Sequence, residues 1–338
     1  MDTSPRAAPG GGQQFDPPDC AAPPVDDVGK GTDPAAPPPP AGRKERGLDW
    51  RVRFALLALV WGLSFLFVKV SGEAYEPLQV ALGRVAFGAV ALLLVVAVRR
   101  EVLPRSARLW LHLAVAAFLL NALPFTLFAY SEQRITSALA GICNATTPLF
   151  TLLVAVTVLP GERPDRNRLM GMGLGFLGVL VVFGIWGGIS AGDPVGAGQA
   201  LAAALSMGTG WVYVRRFLSH SGSSSVSLSA AQLTAGTVEL ALAAPFITSV
   251  PHRFPFAETA SLVVLGAVGT GLAFLIQYSL VRDAGATVAS MVTYLVPIIS
   301  TTAGVLVLGE GLKWHQPVGA VVILLGAALS QRTRRASS

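Results

Sequence analysis

Charge is scarce in this chain: 13% of its 338 residues are Asp, Glu, Lys or Arg, against roughly 25% in a typical soluble protein. The scarcity is also uneven. The first 53 residues carry 15 of the 44 charged side chains, which leaves 29 for the other 285. With 52% apolar residues and a mean hydropathy of +0.59, the composition excludes an ordinary soluble enzyme, and a body this apolar needs lipid as its solvent. Cysteine is nearly absent. Cys20 and Cys143 are too far apart in sequence for a disulfide framework or a thiolate metal site. The four histidines form no HExxH, and GxxxxGK[ST] is missing, so neither a zinc site nor an ATP-driven engine is expected. No cofactor is expected either. The net charge of +6 does not imply a nucleic-acid partner, because the Lys and Arg lie in short clusters between apolar runs and not in one stripe.

What is present divides the chain. Residues 1–47 hold 11 of the 23 prolines, including Pro37 to Pro40, and read as a disordered Pro/Gly-rich cytoplasmic tail. An apolar stretch of the signal-peptide type is missing from the first 30 residues, so a cleaved secretory leader is not expected. From Phe54 onward the chain alternates between apolar runs, each about long enough to cross a bilayer as a helix, and short polar, Pro or Gly breaks. Ten runs are expected: 54–71, 77–98, 109–131, 136–159, 168–187, 195–217, 226–249, 259–281, 285–308 and 315–331. The split at Arg282-Asp283 is the shortest. Placing the amino terminus inside puts 18 Lys and Arg on the cytoplasmic side and 4 outside. That asymmetry favours an even number of spans, with both termini cytoplasmic.

The chain also matches itself. At an offset of 148 residues, Tyr130-Ser131 aligns with Tyr278-Ser279, Arg134 with Arg282, and Gly161-Glu162 with Gly309-Glu310. Gly171, Leu177 and Gly178 align with Gly319, Leu325 and Gly326, and Pro148 meets Pro297 after a one-residue shift. Runs 1–5 therefore resemble runs 6–10. Five is odd, so the second repeat enters the membrane from the opposite side, which puts Glu162 inside and Glu310 outside. The expected fold is an all-α membrane protein. It has ten transmembrane helices in two inverted-topology five-helix repeats, 54–187 and 195–331, an architecture used by secondary transporters.

These residues carry a resemblance. Trp61-Gly62-Leu63-Ser64-Phe65, then Lys69 and Arg84, together with the Pro148 and Pro297 helices that end in Pro-Gly-Glu and Leu-Gly-Glu, resemble the EamA-type members of the drug/metabolite transporter superfamily. The resemblance spans about 54–331. It implies ten helices, two repeats, and movement of small metabolites across the cytoplasmic membrane, usually outward. The first half departs from the second in having Pro160 where Leu308 stands.

Polar groups at membrane depth are costly and are functional candidates by default. Glu239, near the middle of the seventh run, is a candidate for proton coupling or for contact with a substrate amine. Pairing with Arg84 is the structural alternative. Arg84 suits a substrate carboxylate or a pairing role, and Gln232 aligns with it in the repeat. Lys69 can snorkel to the outer surface. Asn121 precedes Pro124, and the equivalent stretch in the second half is Gly269-Thr270-Gly271. Paired interruptions of this kind mark the binding region in transporters built from repeats. Pro148 and Pro297 are further helix-break candidates. Trp61, Trp211, Tyr130 and Tyr278 can line a cavity or anchor at the interface. Glu162 and Glu310 are expected to start the last helix of each half, where an acid suits the helix dipole. Gly171, Gly175 and Gly178, with Gly319 and Gly326, permit close helix packing, and these two helices read as scaffold with a possible homo-oligomer face. The expected partners are a small-molecule substrate and the lipid bilayer. The expected function is secondary transport, in the export direction, of small metabolites such as amino acids by alternating access. An intramembrane enzyme acting on a lipid-linked substrate, or a scaffold without transport, are the alternatives.

Overall fold

A computed structural model describes residues 49–158, 166–184, 193–218, 223–284 and 286–331. Among them every regular element is a helix. The tail 1–47, Glu162 and the arginines after Gln331 lie outside the described residues.

Helix α1 is Trp50–Ser71 and α2 is Pro77–Val98. The third apolar run is helical from Ala107 to Glu132 but changes pitch: α3 is Ala107–Ala117, a π-helical turn covers Phe118–Ala122, and α4 is Leu123–Glu132. The expected run 136–159 is two helices, α5 (Ser137–Asn144) and α6 (Thr147–Val158). Then come α7 (Arg166–Val182), α8 (Pro194–Phe217) and α9 (Ser225–Ile247). The eighth run repeats the third, with α10 (Phe256–Gly266), a π-helical turn at Ala267–Leu272 and α11 (Ala273–Ala284). Helices α12 (Ala286–Leu308) and α13 (His315–Gln331) close the chain.

Local chemistry sets the starts. Asp49 accepts the Arg51 amide at 2.9 Å, Thr136 accepts that of Leu139 at 3.2 Å, and Ser224 accepts that of Ser227 at 3.1 Å. Each satisfies an amide that a helix start leaves unpaired. Pro77 and Pro194 occupy first-turn positions, where a missing N–H is harmless. Among the described residues six helical stretches are long and apolar enough to cross a membrane: Trp50–Ser71, Pro77–Val98, Ala107–Glu132, Ser137–Val158, Ser225–Ile247 and Phe256–Gln277. Shorter apolar helices cover Leu169–Val182, Val292–Leu308 and His315–Leu329. Large side chains face outward on them, with Val98 83% and Phe246 88% exposed, as lipid-facing surfaces require.

The halves are interlocked. Helix α1 packs on α10, α11 and α12, while α8 packs on α4, α5 and α6. Helix α2 packs on α10 and the second π turn, and α9 on α3 and the first. Further pairs join equivalent helices, and among these are α2 with α9 and α7 with α13. Both run antiparallel. At one end of the first pair the Gln79 amide donates to the Ser249 carbonyl at 2.7 Å. At the other, the Ser224 hydroxyl bonds the Glu101 carboxylate and the Ser227 hydroxyl donates to the Val102 carbonyl at 2.9 Å. In the second pair a Cβ on Gly178 would sit 2.9 Å from the Gly319 carbonyl oxygen, and one on Gly326 would sit 2.6 Å from that of Gly171. The expected glycine faces thus meet each other within one chain and are not free for a second copy.

Two acids outside the spans fix helix starts and give the fold a pH response. Asp193 takes a hydrogen bond from Arg134 at 2.9 Å and the amides of Val195 and Gly196 at 2.9 and 3.1 Å. These bonds, that from Arg134 foremost, hold its carboxyl below the usual range. Glu76 is lowered likewise by the hydroxyls of Thr248 and Ser249, at 2.6 and 2.7 Å. Their contribution is complete above the pKa of an unfolded carboxylate, about 4, and is lost as pH falls through their lowered native values. The melting temperature of an Asp193→Asn, Glu76→Gln double variant should therefore fall less steeply on acidification than that of the wild type. Parallel curves would remove this account.

Candidate functional site

The two π turns occupy matching places in the repeat. Pro124 follows the first and contributes no amide, so the Leu120 carbonyl lacks its helical donor. The ladder adapts. The Leu123 amide reaches back to the Phe118 carbonyl, the Thr126 hydroxyl donates to Ala122 O at 2.7 Å, and Ser206 on α8 donates to Leu119 O at 2.8 Å. Gly269 and Gly271 lie in the second π turn. A Cβ on Gly271 would meet Ala91 Cβ at 2.8 Å and Gly88 O at 3.1 Å, so this glycine lets α2 cross closely. π turns inside α-helices are enriched at functional sites.

Polar side chains gather at these turns. Asn121, 1% exposed, accepts a 2.7 Å hydrogen bond from the Gln232 amide. Gly236, one turn along α9 from Gln232, faces Val85, Ala117 and Asn121, which places this pair where α2, α3 and α9 meet. Arg84, partly buried, donates from Nε to the Thr270 hydroxyl of the second π turn at 3.1 Å, and its guanidinium lies 3.7 Å from the centre of the Phe125 ring. The arginine is thus stacked on an aromatic face and fixed to the opposite half.

Glu239 stands apart. The expected alternative, a pair with Arg84, is not formed. Helices α2 and α9 pack on each other, but Arg84 is held by Thr270 and the Phe125 ring. Glu239 lines an open groove of about 320 Å³ with Ala114, Val115, Phe118 and Leu119. Its Oε2 is buried without a hydrogen-bond partner.

The remaining candidates are spread out. Trp61 is partly buried between two hydrophobic clusters, one around Phe65 and Phe128 and one around Leu57 and Leu280. Trp211 on α8 is 38% exposed. Tyr130 is partly buried near the end of α4. Tyr278 lies on α11, and its side chain is outside the described residues. Pro148 follows a real break: the Thr146 hydroxyl donates to Cys143 O at 2.6 Å and that of Thr147 to Asn144 O at 2.7 Å, between α5 and α6. Pro297 differs, sitting inside the continuous helix α12. Cys143 is buried in the first cluster. No grouping of three His, Cys, Asp or Glu able to hold a metal occurs among the described residues.

Two expectations are corrected here. Lys69 does not extend to the surface. Its ammonium donates to the main-chain carbonyls of Glu132 and, at 3.2 Å, Ile135, closing the end of α4, where a cation suits the dipole. Glu310 does serve a helix amino terminus, but not that of the last helix in its half. It reaches across to α5, where the Ser137 amide donates to Oε1 at 2.7 Å, and the Ser137 hydroxyl and Ala138 amide donate to Oε2 at 3.0 and 3.1 Å. Gly309, at φ +64°, turns the chain so that this reach is possible.

A residue the sequence reading passed over is Glu132, the last of α4. It is 2% exposed, and neither carboxyl oxygen has a hydrogen-bond partner. Its repeat equivalent, 148 positions on, is Leu280, which is 0% exposed. The available signal was this mismatch, an acid at a position that is core in both halves.

An all-helical, multi-pass membrane protein, with halves that clasp each other across paired π turns, defines the class. The chain belongs to the EamA-like transporter family, which matches it over residues 51–184 and again over 194–331. It is 26% identical over 277 residues to the "Uncharacterized inner membrane transporter YedA" of Escherichia coli (strain K12), covering 81% of this chain and 87% of that one. It is 27% identical over 301 residues to the "Probable amino-acid metabolite efflux pump" of Salmonella typhimurium, covering 83% and 96%. A protein of known crystal structure shares the fold at TM-score 0.60 and 20% identity, over 83% of this chain and 97% of that one.

Proposed function

We propose that the protein is a secondary transporter that exports small organic metabolites, amino acids among them, by alternating access. In this reading the chain crosses the membrane ten times as two inverted five-helix repeats, 54–187 and 195–331, with both termini cytoplasmic. The observation that carries it is the reciprocal packing: α1 on α10, α11 and α12 is answered by α8 on α3, α4, α5 and α6, and α2 on α10 is answered by α9 on α3. The antiparallel pairs α2 with α9 and α7 with α13 support this inversion. Two halves related in this way can exchange conformations, opening a central path first to one side and then to the other. The name of the Salmonella relative supports amino acids as the substrate class. The Lys and Arg asymmetry supports the orientation.

Asn121, Gln232 and Arg84 are the binding candidates, because each touches a π turn or the helix crossing beside one. An arginine with a hydroxyl and two amides suits a carboxylate and its polar neighbours. Trp61 and Tyr130 are secondary candidates, on helices of the same bundle. Glu239 lies in a lateral groove that lipid can fill, so it is the comparison residue for coupling.

The experiment is counterflow in proteoliposomes with labelled amino acids, sugars and amines, each with and without a pH gradient. Accumulation of labelled amino acid against internal unlabelled amino acid, abolished by Arg84→Ala, is the expected result. Counterflow of sugars or amines alone would discard the substrate class. No counterflow from monodisperse, correctly melting protein would discard the transport reading for the whole panel.

A further inference from the structure

We propose that Glu132 is the site at which this transporter takes up and releases a proton, with Lys69 as its switching partner; the inference rests on the transport reading above. The position itself makes the case. Leu280 shows that the repeat fills this place with a buried aliphatic side chain, so packing gives no reason for an acid. A carboxylate sealed from water needs a hydrogen bond or a counter-ion. Among the described residues Glu132 has no hydrogen bond at either oxygen.

The charged groups around it are already engaged. Lys69 on α1, Arg84 on α2 and Glu310 before α13 are those whose charges reach it. Lys69 is bound to the carbonyls of Glu132 and Ile135. Arg84 is bound to Thr270 and stacked on Phe125. Glu310 is bound to Ser137 and Ala138. On the adjoining turn Arg134 is paired with Asp193 at the start of α8. In this arrangement the carboxyl is accommodated as the neutral acid, which needs no counter-ion.

The ammonium of Lys69 is beside the main chain of the same residue. When the turn between α4 and α5 opens, the proton leaves Glu132 for water on that side. Lys69 then exchanges its carbonyl partners for the newly charged carboxylate. Reprotonation returns Lys69 to the end of α4 and restores the closed arrangement. One proton is bound or released per cycle, and no other reactant is required.

The test begins with a measurement that needs no substrate. Infrared difference spectra of the purified full-length protein, between acidic and alkaline pH, should show a carboxylic-acid C=O band. It should vanish in Glu132→Gln, shift in Glu132→Asp and persist in Glu239→Gln. A band unchanged in Glu132→Gln, or lost in Glu239→Gln instead, overturns the proposal. Because the band belongs to the protein alone, it is independent of whether the substrate class is right. In proteoliposomes that show amino-acid counterflow, Glu132→Gln should keep exchange of labelled for unlabelled amino acid and lose the acceleration by a pH gradient. Undiminished acceleration overturns it as well.

Discussion

Gly326→Ala is expected to lower the stability of the protein by about 3 kcal/mol or more, the upper end of what overpacking usually costs. A Cβ at this position would meet the amide nitrogen of Gly175 and lie 2.6 Å from Gly171 O and 2.7 Å from Gly175 Cα. These are main-chain atoms of α7. They cannot rotate aside as the tip of a leucine can, so the two helices must separate along their length. Gly319→Ala should behave alike, since its Cβ would meet Val182 N at 2.5 Å and Gly178 O at 2.8 Å. Gly173→Ala is the control on the same helix. Nothing lies within 4 Å of its Cβ, and alanine is the better helix former by about 0.8–1.0 kcal/mol. Melting curves of purified protein decide the matter: Gly326→Ala melting with the wild type would show that α7 and α13 are not packed as described.

Glu310→Ala should cost about 2–3 kcal/mol, because it strips three donors at the start of α5 of a charged acceptor. Those donors are the Ser137 amide and hydroxyl and the Ala138 amide. Helix α5 is a short element, Ser137–Asn144, ending at the break before Pro148, so it has few other amides to share the loss. Thr136 still caps Leu139, which keeps the helix from unravelling completely. Glu310→Gln keeps one acceptor oxygen and the length, and should recover about half of the loss. Thermal melting and hydrogen exchange at Ser137 and Ala138 read the effect. Equal exchange in wild type and Glu310→Ala would show that the contact carries no load.

Much of the scaffold was legible because hydropathy and helix punctuation are local properties. The run expected at 77–98 is the helix Pro77–Val98, and that at 315–331 is His315–Gln331. The glycine spacing on 168–187 and 315–331 was visible too, but not its partner. A small-residue face states that something approaches closely and does not state what. The pitch change at Asn121 and Pro124 was marked by the missing amide, and that at Gly269–Gly271 by glycines. Pro148 and Pro297 looked alike in sequence and differ in the fold. Two threonine hydroxyls take up the loose carbonyls at the first, while at the second the helix runs on.

Side-chain direction was the illegible part. Arg84 and Glu239 are opposite charges on neighbouring helices, yet one meets Thr270 and the other an apolar groove. A shift of two residues around a helix turns a side chain by most of half a turn, and no composition rule resolves that. Glu310 lies close in sequence to α13 and binds α5 because Gly309 redirects the chain. Glu132 lies one residue past the apolar run expected at 109–131, and nothing local marks it as buried. Its surroundings include Lys69 on α1 and Glu310 before α13, groups far from it in sequence, which sequence order hides.

The interlocking has a consequence for how the protein is made. Among the partners of α1 and α7 are α12 and α13, which leave the ribosome long after α1 and α7 do. Until they emerge, Gly171 and Gly178 on α7 lack the helix they face, and α1 lacks its contact with α12. Insertion is therefore sequential, but assembly must be late and concerted. Synthesis arrested between α9 and α12 would leave a product threaded through the membrane and still unassembled, with its small-residue faces open to the proteases that survey nascent membrane proteins.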